Sequence, residues 1–271
     1  MKKKSLLKFI TLSVGVWLAI SGGPSWGQGA PSAGPGSEIA INPGDSSTQW
    51  ESVLIVTKTF ASSRDNTLFE YAGADLSSGA GPTFFAGRTK QTQGSIRRGL
   101  IFFDLAGGGL PPNALVTKVT LQLHLSESNT GPQDITLHRL LANWGEGSSF
   151  SQGTGGVPTA GDATWRHTFY NTAFWTKPGG DFSSTASASA LIADVEFYTW
   201  SSFQMVMDVQ DWLTAPATNF GWIVQGNEAL SGTAKRFDSR ENQTPANRPL
   251  LIIEYQPELK NYYLPVIMKQ G

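Results

Sequence analysis

The stretch Val119-Thr120-Leu121-Gln122-Leu123-His124-Leu125 places an apolar side chain at every second position and a polar one between. A period of two predicts a β-strand with one buried face and one solvent-exposed face. A polar loop over residues 126–133 follows, and Ile135-Thr136-Leu137-His138-Arg139-Leu140 then repeats the alternation. We expect these two strands to form a hairpin-like antiparallel pair.

Five further segments have the composition of strands, whereas helix-forming segments are scarce. The best helical candidate is one or two turns at residues 209–213, where Asp208 can cap the first free N–H groups and Pro216 follows the end. Many strands, few helices and Gly-rich connections are typical of two packed sheets. The sequence therefore predicts an all-β, jelly-roll-like antiparallel β-sandwich with one short helix. The other strand candidates are residues 53–59, 99–105, 203–207, 221–225 and 250–255.

The chain divides into four zones. The sequence predicts a secretory signal peptide at 1–27. It begins with four lysines, continues with a short apolar run over residues 9–20 and ends in small residues suited to cleavage. The apolar run is shorter than the roughly 20 residues that cross a bilayer as a helix, although an uncleaved anchor is the alternative. Residues 28–50 are rich in Gly, Pro and Ser and read as a flexible linker, 51–256 as the folded domain and 257–271 as a tail. We expect a protein that is secreted, extracellular or at the cell surface, without a transmembrane anchor after cleavage.

Composition restricts the partners. The chain has no cysteine, so an exported domain of this kind depends on its core and on any bound ion rather than on disulfides. Without the four leader lysines, 20 − 4 = 16 basic residues face 21 acidic ones, a net charge of 16 − 21 = −5. Because Lys and Arg contacts to phosphate dominate nucleic-acid affinity, we expect no nucleic-acid partner.

No catalytic motif is recognisable in the sequence. There is no Cys nucleophile, no G-x-S-x-G turn and no H-E-x-x-H pair. His124 and His138 lie on the polar faces of predicted strands, where solvated histidines are the simplest interpretation. Glycoside hydrolysis needs two suitably spaced carboxyl groups, and no pair has a diagnostic setting. The domain is therefore predicted not to be an enzyme. The acids considered are Glu146, Asp162, Asp181, Asp208, Asp238 and Glu241.

The segment from residue 143 to 182 is the candidate ligand-binding region. It combines tryptophans with acidic and basic side chains in Gly-rich surroundings. Aromatic faces stack on the apolar C–H faces of sugar rings, while charged groups bond the hydroxyls. The alternative is that the tryptophans fill the open ends of the sandwich, since buried Trp is common. The predicted ligand-binding residues are Trp144, Glu146, Asp162, Trp165, Arg166, His167 and Trp175.

A second cluster follows residue 234. Asp238 and Glu241, with Asp65 from the start of the domain, can supply the oxygen ligands that calcium needs. The sequence thus predicts a structural calcium ion at these three acids. The alternative is a network of acids and arginines that fixes the last hairpin.

Several short motifs, in this order and spacing, resemble the DNRLRE-domain family across residues 60–256. The resemblance implies a jelly-roll-like sandwich in secreted or surface proteins, some of which are classed as carbohydrate-binding modules, including alginate binders. We expect no catalytic neighbour beside this domain, which weakens a role in targeting an enzyme. The motifs are Asp65-Asn66-Thr67-Leu68-Phe69-Glu70, Arg97 to Leu105, Leu110-Pro111-Pro112, Asn143-Trp144-Gly145-Glu146-Gly147, Asp208-Val209-Gln210-Asp211-Trp212, and Phe237-Asp238-Ser239-Arg240-Glu241 with Arg248-Pro249.

These observations favour a secreted, non-catalytic, carbohydrate-binding-type module for an extracellular or cell-surface polysaccharide. A structural or adhesive surface protein that acts through protein–protein contacts is the alternative. A polysaccharide-active enzyme is the third hypothesis. Aromatic side chains that converge in one groove distinguish the first hypothesis, whereas a broad apolar patch or an open strand edge distinguishes the second.

Overall fold

The computed structural model describes residues 54–258. The predicted signal peptide and linker, and most of the predicted tail, lie outside these residues. The described part is an antiparallel, sandwich-like β fold with one α-helix, so the predicted fold class is confirmed. Its strands are β1 (Val56–Ala61), β2 (Arg64–Phe69), β3 (Thr83–Arg88), β4 (Ile96–Phe102), β5 (Leu115–Ser128), β6 (Gln133–Leu140), β7 (His167–Phe169), β8 (Ala173–Phe174), β9 (Phe182–Ile192), β10 (Phe197–Ser201), β11 (Trp222–Gln225), β12 (Lys235–Asp238) and β13 (Leu250–Gln256), and its helix is α1 (Phe203–Thr214).

The helix is longer than predicted and begins earlier. Ser202 is its N-cap, because the Ser202 hydroxyl accepts a hydrogen bond from the backbone N–H of Met205 at 3.0 Å. The predicted strand at 203–207 is therefore the first part of α1, and Asp208 lies inside the helix instead of capping it. Within residues 54–258, no helical segment has both the length and the apolar character that crossing a bilayer requires.

The sheet is one long curled path that forms two layers. The first layer contains β1, β13, β5 and β10, and the second contains β2, β4, β11, β6 and β9. Strands β12 and β3 join the layers, because β12 pairs with β5 and β3 pairs with both β12 and β4. Apolar side chains from both layers, such as Leu121 and Leu137, share the main core.

The predicted hairpin between β5 and β6 is wrong. Strand β5 pairs with β13, β12 and β10, whereas β6 pairs with β11 and β9. The two strands belong to opposite layers, and apolar side chains of both, such as Leu123 and Ile135, point into the shared core. The Trp200 indole N–H on β10 donates to the carbonyl of Ile135 on β6 at 2.8 Å, which ties the layers together through the core.

A second, smaller core covers the outer face of the second layer. Strand β2 is buried over nearly its whole length, as expected when a sheet is covered on both faces. The covering layer is the segment 141–181, which packs on side chains that point away from the main core. This second core contains Leu68, Leu100, Leu140, Trp144, Ala163, Trp175 and Ile223.

We predict that Trp175→Ala lowers the free energy of unfolding by about 3–5 kcal/mol, the usual cost of truncating a buried tryptophan. Trp175 is 4% exposed, and its indole N–H donates to the carbonyl of Thr164 at 2.9 Å. The neighbouring Phe174 is 68% exposed and provides the control, Phe174→Ala. Urea denaturation measures both. A larger loss for Phe174→Ala than for Trp175→Ala would contradict the placement of the second core.

Candidate functional site

Three acids from distant parts of the chain meet at one place, here called the acidic cluster: Asp65, Glu146 and Glu241. Each offers a carboxylate oxygen, and these oxygens all lie within 4.8 Å of one another. Asp65 is near the start of β2, Glu146 lies in the covering segment, and Glu241 follows β12. The fold thus brings together three of the short motifs found in the sequence.

Arg240 is the cation of the acidic cluster. Its Nε and Nη2 donate to the two carboxylate oxygens of Glu146 at 2.6 and 2.8 Å, a bidentate pair. Its Nε also lies 2.8 Å from Oε1 of Glu241. The Arg240 backbone N–H donates to Oδ2 of Asp65 at 2.8 Å. One guanidinium therefore faces three carboxylates, so the cluster carries a net charge of −2 when all three are ionised.

Buried hydrogen bonds hold the segments around the cluster in register. Glu146 Oε1 accepts from the backbone N–H of Asp65 at 3.0 Å. The fully buried Asn66 side chain donates to the Glu146 carbonyl at 2.9 Å and accepts from the Ser78 N–H at 3.0 Å. A Cβ on Gly79 would come within 1.8 Å of the Glu146 carbonyl oxygen, so only glycine allows this approach.

Burial and like charge raise two pKa values in the cluster. Burial, and then the neighbouring charge of Glu241, raise the pKa of Asp65 well above its usual range. Burial also raises the pKa of Glu241, against the attraction of Arg240. Moreover, Oε2 of Glu241 is buried without a hydrogen-bond partner among the described residues. Such oxygens suit a proton or a hard cation, and calcium binds through carboxylate oxygens. The donor set therefore fits the predicted ion, because Asp65 and Glu241 each keep one carboxylate oxygen, Oδ1 and Oε2, that Arg240 does not contact.

The structure changes the predicted metal-ligand set. Asp65 and Glu241 come together, but Asp238 does not join them. Asp238 Oδ2 lies 2.6 Å from Nδ1 of His124 and 3.2 Å from Nδ2 of Asn247. Asp238 is the last residue of β12 and faces β5, whereas Glu241 lies in the turn that follows. Glu146, predicted as a ligand-binding residue, is the third acid, and Arg240 forms the acid–arginine network that was the alternative.

A second feature, here called the aromatic cleft, is lined by Tyr71, Trp165, Arg166 and Pro178. It has a volume of about 340 Å³ and lies beside the end of β2. Tyr71 is 48% exposed and Trp165 is half-buried. The guanidinium of Arg98 lies 5.0 Å from the centre of the Trp165 ring, so a cation–π contact fixes this indole.

Asp75 holds Arg166 at the rim of the cleft. The Nε and Nη2 of Arg166 donate to the Asp75 carboxylate at 2.9 and 2.6 Å. Burial alone would raise the pKa of Asp75, but the hydrogen bonds and charge of Arg166 outweigh it and lower that pKa. His167 is buried beside this pair, with Nδ1 3.0 Å from the Thr164 hydroxyl, and so supports the rim from below.

The predicted ligand-binding residues therefore separate into three groups. Trp165 and Arg166 line the aromatic cleft, and His167 lies behind it. Trp144, Trp175 and Asp162 are buried outside the aromatic cleft, and their polar side-chain atoms are bonded within the protein. The two tryptophans therefore fill space, as the alternative interpretation has it. Glu146 belongs to the acidic cluster. Sequence reasoning missed Tyr71, whose signal was an aromatic residue directly after the motif that ends in Glu70, just beyond β2.

We predict that Asp65→Asn flattens the pH dependence of stability in chelator-containing buffer. The folded protein holds the Asp65 proton more tightly than the unfolded chain, since the folded pKa is raised. This group's contribution is therefore complete below the ordinary Asp pKa of about 4 and declines as the pH rises toward the raised value. Urea denaturation from acid to neutral pH measures the difference between variant and wild type. The exposed Asp134→Asn is the control, and equal pH profiles for Asp65→Asn and wild type would contradict the raised pKa.

Comparison with known proteins finds no family model that matches the chain and no curated protein with significant sequence similarity. Membership of the DNRLRE-domain family therefore stays a prediction from the short motifs.

Proposed function

We propose that this domain is a secreted, non-catalytic module that binds an extracellular or cell-surface polysaccharide through the aromatic cleft. The observation that carries the proposal is the pair of accessible rings, Tyr71 and Trp165, which line one cleft together with the Arg166 guanidinium. Aromatic rings supply the apolar surface on which a sugar ring stacks, and a guanidinium supplies hydrogen-bond donors for its oxygens.

The cleft is preorganised, which favours binding because few side chains lose freedom when a ligand arrives. Asp75 fixes Arg166 through two hydrogen bonds. Arg98 fixes Trp165 and is itself held by Glu228 through hydrogen bonds of 2.7 and 2.8 Å. A Cβ on Gly179 would come within 2.9 Å of the Trp165 ring, so this glycine allows the chain to pass close beneath the indole.

We expect Tyr71→Ala and Trp165→Ala each to weaken polysaccharide binding about tenfold, which corresponds to roughly 1.4 kcal/mol. Affinity electrophoresis in gels that contain alginate, xylan or soluble cellulose measures the retardation, and glycan arrays extend the search to host glycans. The control is Phe203→Ala, because Phe203 is a 76% exposed aromatic residue on α1, outside the cleft.

Two results would contradict the proposal. One is the absence of retardation and of array signal for the wild-type protein on every polysaccharide. The other is an equal loss for Phe203→Ala, since binding would then not depend on the aromatic cleft.

We further propose that a calcium ion stabilises the domain at the acidic cluster. Asp65 and Glu241 are the acids that would hold it, and Arg240 keeps Glu146 in place beside them. The support is the unpartnered Oε2 of Glu241, together with the net negative charge of three carboxylates around one guanidinium. The ion would neutralise charge and so favour the folded state.

Added calcium is expected to raise the melting temperature at neutral pH, and a chelator to lower it. Calcium at 100 times its Kd raises the free energy of unfolding by about 2.7 kcal/mol. Each kcal/mol raises the melting temperature of a domain of this size by roughly 2–4 °C. Asp65→Asn and Glu241→Gln should remove the response, measured by differential scanning calorimetry. Asp238→Asn is the matched control and should retain it, because Asp238 pairs with His124. A melting temperature that neither calcium nor chelator changes would refute the ion.

A further inference from the structure

A second cleft, here called the Asp208 cleft, opens between the edge strand β9 and helix α1. Its volume is about 440 Å³, within the range of about 300–1,000 Å³ typical of small-molecule sites. The pairing of β6 with β9 is irregular on both sides of His138, where this end of β9 borders the cleft. The lining that matters for binding comprises Arg139, Ser183, Ser187, Gln204, Asp208 and Phe220.

Asp208 is a buried carboxylate that only neutral groups stabilise. It is 2% exposed, and its Oδ2 accepts from the Ser187 hydroxyl at 2.5 Å and from the Trp222 indole N–H at 2.8 Å. From the part of the chain that the structure describes, its Oδ1 accepts only a 3.3 Å bond from the Gln204 amide. Among the described residues, Asp208 forms no ion pair with a Lys, Arg or His side chain. A carboxylate has about four acceptor sites, so acceptor capacity on Oδ1 stays available.

The rest of the lining favours a neutral, hydroxyl-rich ligand. Arg139 and Asp208 are the two charged lining residues, and their charges cancel. Arg139 is held by Asp211 at 2.8 Å and so contributes a fixed donor surface. The Ser183 hydroxyl and the Gln204 amide add hydrogen-bonding groups, and the half-buried Phe220 adds apolar surface.

We propose that the Asp208 cleft is a second saccharide-binding site that takes one neutral hexose residue. Asp208 and Gln204 accept hydrogen bonds from its hydroxyls, and Phe220 contacts its apolar face. The choice of ligand class rests on the proposed function, but the cleft shares no lining residue with the aromatic cleft. Two sites on one domain raise the affinity for a long polysaccharide by increasing the effective concentration at the second site.

The Trp222 indole N–H provides a direct reporter, since it is bonded to the Asp208 carboxylate. The probes are methyl β-glucopyranoside, methyl β-galactopyranoside and methyl α-mannopyranoside, each titrated into ¹⁵N-labelled protein at millimolar concentration. We expect at least one of them to shift the Trp222 indole resonance with saturation. The Trp175 indole donates to the carbonyl of Thr164, which does not line the Asp208 cleft, so its resonance should stay in place.

Variants separate this site from the other. Asp208→Asn should abolish the ligand-induced shift. Gln204→Ala should weaken binding at least threefold. Because Gln204 is exposed, this substitution leaves the packing of the core unchanged. Met207→Ala, on the same helix but outside the cleft, should bind as the wild type does. Tyr71→Ala should leave the Trp222 shift intact even where it abolishes polysaccharide retardation, so failure of the aromatic cleft is distinguishable.

The proposal is overturned if none of the three glycosides moves the Trp222 resonance. It is equally overturned if folded Asp208→Asn and Gln204→Ala proteins bind a glycoside as tightly as the wild type, because Asp208 then serves only to satisfy Trp222 and Ser187.

Discussion

The contacts of Arg240 with three acids are the constraint on which the arrangement of the sandwich depends. Its backbone bonds Asp65 on β2, and its guanidinium bonds Glu146 and Glu241, so β2, the covering segment and the turn after β12 meet at one residue. A bidentate arginine–carboxylate pair imposes geometry as well as attraction. Its single charge does not balance three acids, however, and burial, together with that imbalance, raises the pKa values of Asp65 and Glu241. The cluster thus constrains the fold strongly and carries an excess of negative charge.

The covering segment explains why one tryptophan of the region is accessible while others are not. The outer face of the second layer is apolar, and Trp144 and Trp175 bury it, each with its indole N–H satisfied by a carbonyl. Trp165 lies at the border of this second core, where Arg98 and Gly179 position its ring beside Tyr71. The apolar surface offered to a ligand is therefore the edge of a structural layer, which gives the cleft its rigidity.

Sequence patterns predicted the fold class and the positions of β1, β4, β5, β6, β11 and β13, but not the other described strands or the partners of each strand. A period of two identifies the buried face of β5 and of β6, yet two such faces can be buried side by side or opposite each other, and here they lie opposite. The same limit applies to the acids. Asp238 and Glu241 are close in sequence, but the strand end directs Asp238 to His124. Glu146 joins Asp65 from the far side of the covering segment, a contact that no local pattern encodes.

Strand β2 connects the acidic cluster to the aromatic cleft. Asp65 lies near its start, Glu70 follows its end, and Tyr71 comes next, while pairing with β4 fixes the strand along its length. The Glu70 carboxylate also accepts the backbone N–H groups of Ser95 and Ile96 at 3.0 Å, which anchors the loop beside Tyr71. The proposed cation at Asp65 would stabilise the strand that precedes Tyr71, and it would lie at the opposite end of β2 from the proposed ligand. Under the proposed function, we therefore expect ion-dependent stability and ligand affinity to be governed from opposite ends of one strand.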